Sequence, residues 1–280
     1  MTKIIDGKRI ADKILSDLTV QVANLSTKPT LAIISANQSE ASKIYINNKI
    51  KAAKKIGIET MLLEYDKSVK TDEIESQIKL LNSEEAISGI IIQLPLYSHL
   101  DQNYILSIID PKKDVDGLCP LNVGLLYSMQ KPYHIPCTPL GILEILKNEI
   151  PDFTGLDIVI IGRSIIVGKP LAALLINQDS TVTICHSKSK DIQQSTLKAD
   201  IVICASGAMQ MFGRSYFNKN AILIDVGISR DNQGKVKGDI IFEEVKDCVR
   251  AITKVPGGVG PMTIAMLMSN IVKSAKNEFD

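Results

Sequence analysis

Two α/β domains are what the sequence predicts, and two observations predict them. Short apolar, β-branched runs alternate with amphipathic stretches along almost the whole chain, the pattern of βαβ units and parallel sheets. Turn formers then concentrate midway, in Asp110-Pro111-Lys112-Lys113-Asp114-Val115-Asp116-Gly117, Lys131-Pro132 and Ile135-Pro136-Cys137-Thr138-Pro139, and divide the alternation into two series. At 280 residues there is room for two ordinary domains or one large one, and the breakers put the boundary near residues 118–138.

In the first series the strand runs are Leu31–Ala36, Thr60–Tyr65 and Gly89–Leu94. In the second they are Leu156–Ile161, Thr181–Ile184, Ile201–Ala205 and Ala221–Val226. Helical spacing appears between them. Ile10, Ile14, Leu18 and Val22 make one stripe, and Ile74, Ile78 and Leu81 make another. Residues 39–57 read as one helix, with Ser39 as its N-cap and Gly57 as its stop. A last helix, Thr263–Ala275, carries Ile264, Leu267, Met268, Ile271, Val272 and Ala275 on one face.

Composition excludes several functions. Thirty-two basic against thirty-one acidic residues leave a net charge of +1, which gives no basic surface for nucleic acid or a membrane. No apolar run approaches the roughly 20 residues that span a bilayer, and the first nine residues lack the apolar core of a secretion signal. The five cysteines are odd in number and form no CxxC pair, which fits unpaired, mostly buried thiols in a reducing cytoplasm. The three histidines, His99, His134 and His186, have no metal-ligand spacing, so no metal is expected.

Six segments could carry chemistry. Leu156–Ile161, Gly162 and a helix from Gly168 to Asn177 form a strand–turn–helix unit, which aims backbone N–H groups and a positive dipole end at an anion. Five residues separate the two glycines, so this is not the GxGxxG spacing, and a nucleotide-phosphate site and a plain glycine turn both fit. The next strand ends in His186-Ser187-Lys188-Ser189-Lys190, where NAD-binding proteins commonly place an acidic residue for the ribose 2′-OH. Hydroxyl and basic groups there, with Arg163 in the first turn, suit a 2′-phosphate and so NADP over NAD; a solvated basic loop is the alternative.

In the helix 39–57, Ala41, Ile44, Tyr45, Ala52 and Ile56 share a face, and Lys49 falls on it one turn after Tyr45. A lysine desolvated there suits proton transfer, whereas one with its stem buried and its head in water is only snorkelling. Gln93 ends a strand run, at the edge where open α/β sheets bind ligands, or else hydrogen-bonds a neighbouring loop. Asp116 before Gly117 is either a ligand or a turn aspartate. Pro256-Gly257-Gly258-Val259-Gly260 has three glycines in five residues, which permit close backbone approach to a flat ligand or make a hinge into the last helix.

Taken in order, these segments resemble the bifunctional methylenetetrahydrofolate dehydrogenase/methenyltetrahydrofolate cyclohydrolase family. The resemblance runs nearly end to end, through Ile5-Asp6-Gly7-Lys8, Ala41-Ser42 with Tyr45-x-x-x-Lys49, Gln93-Leu94-Pro95-Leu96 and Lys113-Asp114-Val115-Asp116-Gly117. It continues through Pro136-Cys137-Thr138-Pro139, Gly162-Arg163-Ser164 with Val167-Gly168-x-Pro170, Asp225-Val226-Gly227-Ile228, and Pro256 to Thr263.

The resemblance implies two α/β domains flanking a cleft, usually in a homodimer, with a tetrahydrofolate derivative as substrate. Residues 1–120 with the C-terminal helix 263–280 would form the folate-binding catalytic domain, and residues 121–262 a Rossmann-like NADP-binding domain. Catalysis would fall to Lys49, Gln93, Tyr45 and Asp116: Lys49 moves protons beside Gln93, Tyr45 packs on the aminobenzoyl ring and Asp116 holds the pterin. Pro256, Gly257, Gly258, Val259 and Gly260 would line the folate site. Gly162, Arg163, Ser164, Ser187 and Ile228 match cofactor positions, with Arg163 and Ser187 at the 2′-phosphate.

Two positions depart from the pattern: Tyr97 stands where a proline often follows Gln-Leu-Pro-Leu, and Ala36 where a glycine is usual. Two rivals remain at this stage. Another two-domain dinucleotide-dependent dehydrogenase would leave Tyr45, Lys49 and Gln93 unexplained, and a silent nucleotide-binding module would bind cofactor without turnover.

Overall fold

The computed structural model describes residues 1–279. They fall into two compact units, one of residues 1–11 and 138–263, the other of residues 12–137 and 264–280. The divisions fall inside the first and last helices, α1 (Gly7–Ala23) and α10 (Val259–Ala275). The segment after the last division, residues 264–279, thus groups with residues 12–137, and the first eleven residues group with the second half of the chain.

The unit of residues 12–137 and 264–280 is built on three parallel strands, β2 (Thr30–Ser35), β3 (Glu59–Glu64) and β4 (Gly89–Gln93), in the order β3-β2-β4. Both faces of β2 and β4 are covered, so they read as unbroken apolar runs, whereas the edge strand β3 begins and ends on Glu59 and Glu64. Helices α2 (Glu40–Ile56), α3 (Thr71–Ser83), α4 (Gln102–Ser107) and α5 (Pro120–Tyr127) belong to the same unit. Ile74, Ile78 and Leu81 are buried as their spacing predicts, in a core with Ala32, Ile34, Ile90, Ile92 and Ile105.

The other unit holds a parallel sheet in the order β1-β11-β8-β7-β5-β6, made of β1 (Lys3–Ile5), β5 (Asp157–Ile161), β6 (Thr181–Cys185), β7 (Ile201–Cys204), β8 (Ile222–Asp225) and β11 (Ala251–Thr253). A short antiparallel pair, β9 (Ser229–Arg230) and β10 (Val236–Lys237), stands apart from it. Helices α6 (Cys137–Lys147), α7 (Gly168–Ile176), α8 (Ile192–Thr196) and α9 (Phe242–Val245) fall in this part of the chain. From β5 the chain winds to β6 on one side and to β7 on the other, a doubly wound sheet whose order reverses beside β5. Val159, Ile161, Val202, Leu223 and Ile252 pack with Phe212 and Phe217 in its core.

The seven strands read from the sequence all form, within one residue at each end; the five helices form as well, but α1 begins three residues earlier than its stripe, α3 ends two residues later, and α10 begins four residues earlier. Strands β1 and β11, three residues each, are too short for periodicity to show and exist by pairing: β1 on β11, Lys3 opposite Ala251 and Ile5 opposite Thr253, and β11 in turn on β8. One helix face needs correction. On α2 the buried residues are Ser42, Ile46, Ala53 and Ile56, while Ala41, Ile44 and Tyr45 are exposed. The Ser39 hydroxyl accepts from the Ser42 N–H at 3.1 Å and closes the first turn. Lys49 therefore interrupts a stripe, but the one running from Ile46 to Ala53. The last helix also starts earlier than expected, at Val259, because Pro261 sits in its first turn, where a missing N–H costs no intrahelical bond.

Candidate active site

The catalytic candidates gather at the carboxyl end of the three-stranded sheet. Lys49, half-buried on α2, donates from Nζ to Gln93 Oε1 at 3.2 Å. Gln93, the last residue of β4, is 7% exposed, and its Nε2 donates to Leu94 O at 2.9 Å. That second bond decides the orientation of the amide: the NH2 must face a carbonyl, so the oxygen is left to face the ammonium. α2 is capped at both ends, by Ser39 and by Gly57, whose φ of 89° continues into a left-handed turn with its N–H on Ala53 O and Lys54 O. Lys49 is thus carried on a helix with both ends fixed.

Asp116 lies in a turn of the same unit. It is half-buried in the turn that ends at Gly117, whose N–H donates to Asp114 O at 2.9 Å. Gly117 has φ 71°, and a Cβ there would lie 2.6 Å from both Ile135 C and Pro136 N, so only glycine lets the turn lie against that segment. Cys137, just after it, is fully buried, and burial pushes its thiol well above the ordinary range. Asp116 raises it further and Lys49 lowers it, so both charges lie near this one sulfur. The structure hence brings Lys49 and Gln93 into contact, and both Lys49 and Asp116 act on the Cys137 thiol. Tyr45 lies one turn before Lys49 on the exposed side of α2.

Beneath the Asp116 turn lies a buried polar support. Asp114, 1% exposed, accepts from Cys119 N at 2.8 Å and from Asn122 Nδ2 at 2.9 Å. Burial raises its carboxyl to about 6, against the hydrogen bonds of Asn122 and Cys119, which favour the charged form. Asn122 accepts in turn from Tyr133 N and His134 N. His134 Nε2 lies 2.8 Å from Lys112 O; a carbonyl can only accept, so the ring carries its proton there. Burial pushes His134 down to about 4 and keeps it neutral. The two departures from the family pattern also meet: Tyr97 N–H donates to Ala36 O at 2.9 Å, a bond that a proline at 97 could not make.

The dinucleotide candidates line the carboxyl edge of the six-stranded sheet. Gly162 follows β5 with φ 137°, and a Cβ there would lie 2.2 Å from Ala205 O, at the end of the neighbouring β7. A Cβ on Gly168 would lie 2.1 Å from Gly162 O. Both glycines are demanded by close backbone approach beside the point where the strand order reverses, a cradle that fits a nucleotide. Arg163 and Ser164 are exposed on the turn between them, and Ser164 Oγ accepts from Val167 N at 3.1 Å. Ser187 is exposed in the turn after β6, which closes through Ser189 N to His186 O and His186 N to Ser189 Oγ. Ile228, 48% exposed, follows β8.

Two buried aspartates fix these loops; the sequence offered Asp225 only as the first residue of Asp225-Val226-Gly227-Ile228, with no role, and Asp239 not at all. Asp225 accepts from Gly227 N, Asp239 N and Ile240 N at 2.9–3.0 Å, and burial raises it to about 6. Asp239 accepts from Ser206 N, Ser206 Oγ and Gly207 N at 2.7–3.1 Å, which holds the loop after β7. Gly257 (φ 106°) and Gly258 belong to this unit as well. Gly257 O accepts from Lys8 N at 2.9 Å, and a Cβ on Gly7 would lie 2.1 Å from Gly258 O, which accounts for glycine in the opening Asp6-Gly7-Lys8. Pro256 is exposed, and Val259 and Gly260 form the first turn of α10.

A doubly wound parallel sheet with a glycine cradle at its switch point, together with a Lys–Gln–Asp cluster at the end of a second parallel sheet, defines a dinucleotide-dependent α/β enzyme. The comparisons narrow that class. Residues 5–116 match the tetrahydrofolate dehydrogenase/cyclohydrolase catalytic domain and residues 136–279 the NAD(P)-binding domain of the same family. The chain is 50% identical over 281 residues to the bifunctional protein FolD of Rickettsia typhi, covering 99% of both chains. It superposes with a TM-score of 0.97 on the FolD methylenetetrahydrofolate dehydrogenase/cyclohydrolase of Campylobacter jejuni, at 40% identity over 99% of this chain and 100% of that one. A Trypanosoma brucei methylenetetrahydrofolate dehydrogenase-cyclohydrolase, complexed with NADP cofactor and an inhibitor, gives 0.94 at 35% identity over 99% and 98%. The chain belongs to the tetrahydrofolate dehydrogenase/cyclohydrolase family.

Proposed function

We propose that this chain oxidises 5,10-methylenetetrahydrofolate to the 5,10-methenyl compound with NADP+ and hydrolyses that to 10-formyltetrahydrofolate. The observation that carries the reading is Lys49 Nζ on Gln93 Oε1 at 3.2 Å, at the carboxyl end of β4. Gly162, Arg163, Ser164, Ser187 and Ile228 would hold NADP, Arg163 and Ser187 taking the 2′-phosphate, a role to which an exposed guanidinium and hydroxyl are suited. When bound, the cofactor accepts the hydride that leaves the methylene carbon.

The chain's own residues do the rest. Asp116 holds the pterin by accepting its N–H groups, and Tyr45 offers an aromatic face to the aminobenzoyl ring. Pro256, Gly257, Gly258, Val259 and Gly260 contact the substrate through backbone. Oxidation needs chiefly orientation, which these contacts give. Hydrolysis needs proton transfer: water adds to the cationic methenyl carbon, Lys49 takes a proton from it at Nζ, and returns one to the ring nitrogen that departs. Gln93 keeps Nζ aimed. The catalytic domain on this reading comprises residues 1–120 and 263–280, with residues 121–262 as the NADP-binding domain.

A homodimer in the cytoplasm completes the reading. Support for that compartment is the set of five free cysteines among the described residues, four of them buried. No described helix is long and apolar enough to cross a membrane.

Lys49→Met tests the assignment. Cyclohydrolase activity, followed as decay of the methenyl absorbance, falls by about 10²–10⁴-fold, the usual worth of a general acid–base group, while NADP still binds. Unchanged hydrolysis overturns the role of Lys49.

A further inference from the structure

Asn270 is a polar residue on the buried face of α10, 4% exposed, where the helical spacing calls for an apolar one. Its Nδ2 donates to Val115 O at 2.9 Å and to Ile135 O at 3.1 Å, and lies 3.7 Å from Cys137 Sγ. Both oxygen partners are carbonyls, so only the NH2 end of the amide can face them. Cys137 Sγ donates to the same Val115 O at 3.3 Å.

These three partners are the two sides of the Asp116 turn. Val115 immediately precedes Asp116, and Gly117, which follows it, lies against Ile135 and Pro136 so closely that a Cβ would come within 2.6 Å of their backbone. Asn270 therefore clamps the segment before Asp116 to the segment that faces Gly117. The clamp is made from the far end of the chain, 155 residues from Val115 and 135 from Ile135. A structural asparagine could satisfy any nearby carbonyl. This one spends both amide hydrogens across a single turn, whose middle residue is Asp116.

We infer that Asn270 is a positioning residue for substrate, holding Asp116 where the pterin binds. This rests on the reading of Asp116 given above. Removing the amide takes the donor from Ile135 O, leaves Val115 O with only the weak Cys137 thiol, and frees the turn to relax. The cofactor residues lie in the other unit and keep their own anchors at Asp225 and Asp239.

The experiment compares Asn270→Leu, which keeps side-chain volume and removes the donors, with Asp116→Ala and the double variant. Each is assayed for the KM of the folate substrate in both activities and the KM of NADP+. For Asn270→Leu we expect a folate KM raised about tenfold in both activities, the worth of one lost hydrogen-bonding group, with the NADP+ KM unchanged. The double variant is expected to be no worse than Asp116→Ala, because the two act through one group.

A lower melting temperature with the folate KM unmoved makes Asn270 merely structural and overturns the inference. A raised NADP+ KM of similar size does the same. If Asp116→Ala itself binds folate normally, the reading of Asp116 fails instead. Asn270→Ser, smaller and with one donor left, supplies the same comparison should the leucine variant not fold, with a smaller rise in folate KM expected and an unmoved one overturning the inference.

Discussion

The cradle at the end of β5 makes a quantitative prediction for Gly162→Ala. The new methyl would lie 2.2 Å from Ala205 O and 2.8 Å from Ala205 C. Ordinary contact is about 1 Å longer, so β5 and β7 must part at their carboxyl ends. They resist on both sides. Ala205 N donates to Ile161 O at 2.8 Å, and the next two residues are held by the Asp239 carboxylate. Alanine would also have to adopt φ 137°, which costs about 1–3 kcal/mol, and overpacking a tight contact costs a further 1–3. The sum, roughly 2–6 kcal/mol, is a large share of the stability of an ordinary domain and lowers the melting temperature by roughly 10 °C. Parting the strands also displaces the N–H groups of the turn, so NADP affinity is expected to fall at least about tenfold. Thermal unfolding with and without NADP, and initial rates of NADPH formation, measure both effects. Cyclohydrolase activity without cofactor serves as the control, since Lys49, Gln93 and Asp116 lie in the other unit. A variant with native melting temperature and native NADP affinity refutes the reasoning.

The remaining predictions concern buried titratable groups. His134 is held near pKa 4 by burial against an ordinary 6.5. The unfolded chain therefore takes up this proton first as pH falls, and stability present above 6.5 is lost down to 4, by about 3 kcal/mol in all. Asp114 and Asp225, both raised to about 6 by burial, act with the opposite sign between 3.8 and 6, where the fold binds the proton more tightly. Comparing the pH dependence of urea unfolding for His134→Gln with that of the native chain isolates the histidine: the variant should lack that loss, and identical curves refute it. Asp239→Ala leaves three donors of the Ser206–Gly207 loop unpaired. It should destabilise by about 2–5 kcal/mol and raise the NADP+ KM more than the folate KM, and an equal rise in both would count against a loop-specific role.

Much of this was legible in the residues because the signals were local. Continuous apolar runs gave β2, β4, β5, β7 and β8, since a parallel strand covered on both faces is mostly apolar, polar residues such as Gln93 and Asp225 coming only at its end. Caps gave both ends of α2, because Ser39 and Gly57 act on the backbone beside them. Lys49 and Gln93 could be named as candidates, and so could Gly162, from strand ends and turn chemistry alone. The orientation of α2 could not. Its more apolar side, Ala41, Ile44 and Tyr45, faces outward, and the stripe from Ser42 to Ile56 packs inward, because the partner of a helix face is set elsewhere in the chain.

What the sequence by itself determined is the alternation of strands and helices and the residue types available for chemistry. Periodicity and turn preference act over a few residues, and that information lies entirely in the local chain. What only the tertiary structure decided is which distant residues meet. Lys3 pairs with Ala251, Asp239 holds Ser206, Gly7 lies against Gly258, and Asn270 clasps the turn of Asp116. Each of these is a hydrogen bond or backbone contact made at short range between segments far apart in the chain, and such proximity exists only once the sheets and helices have packed.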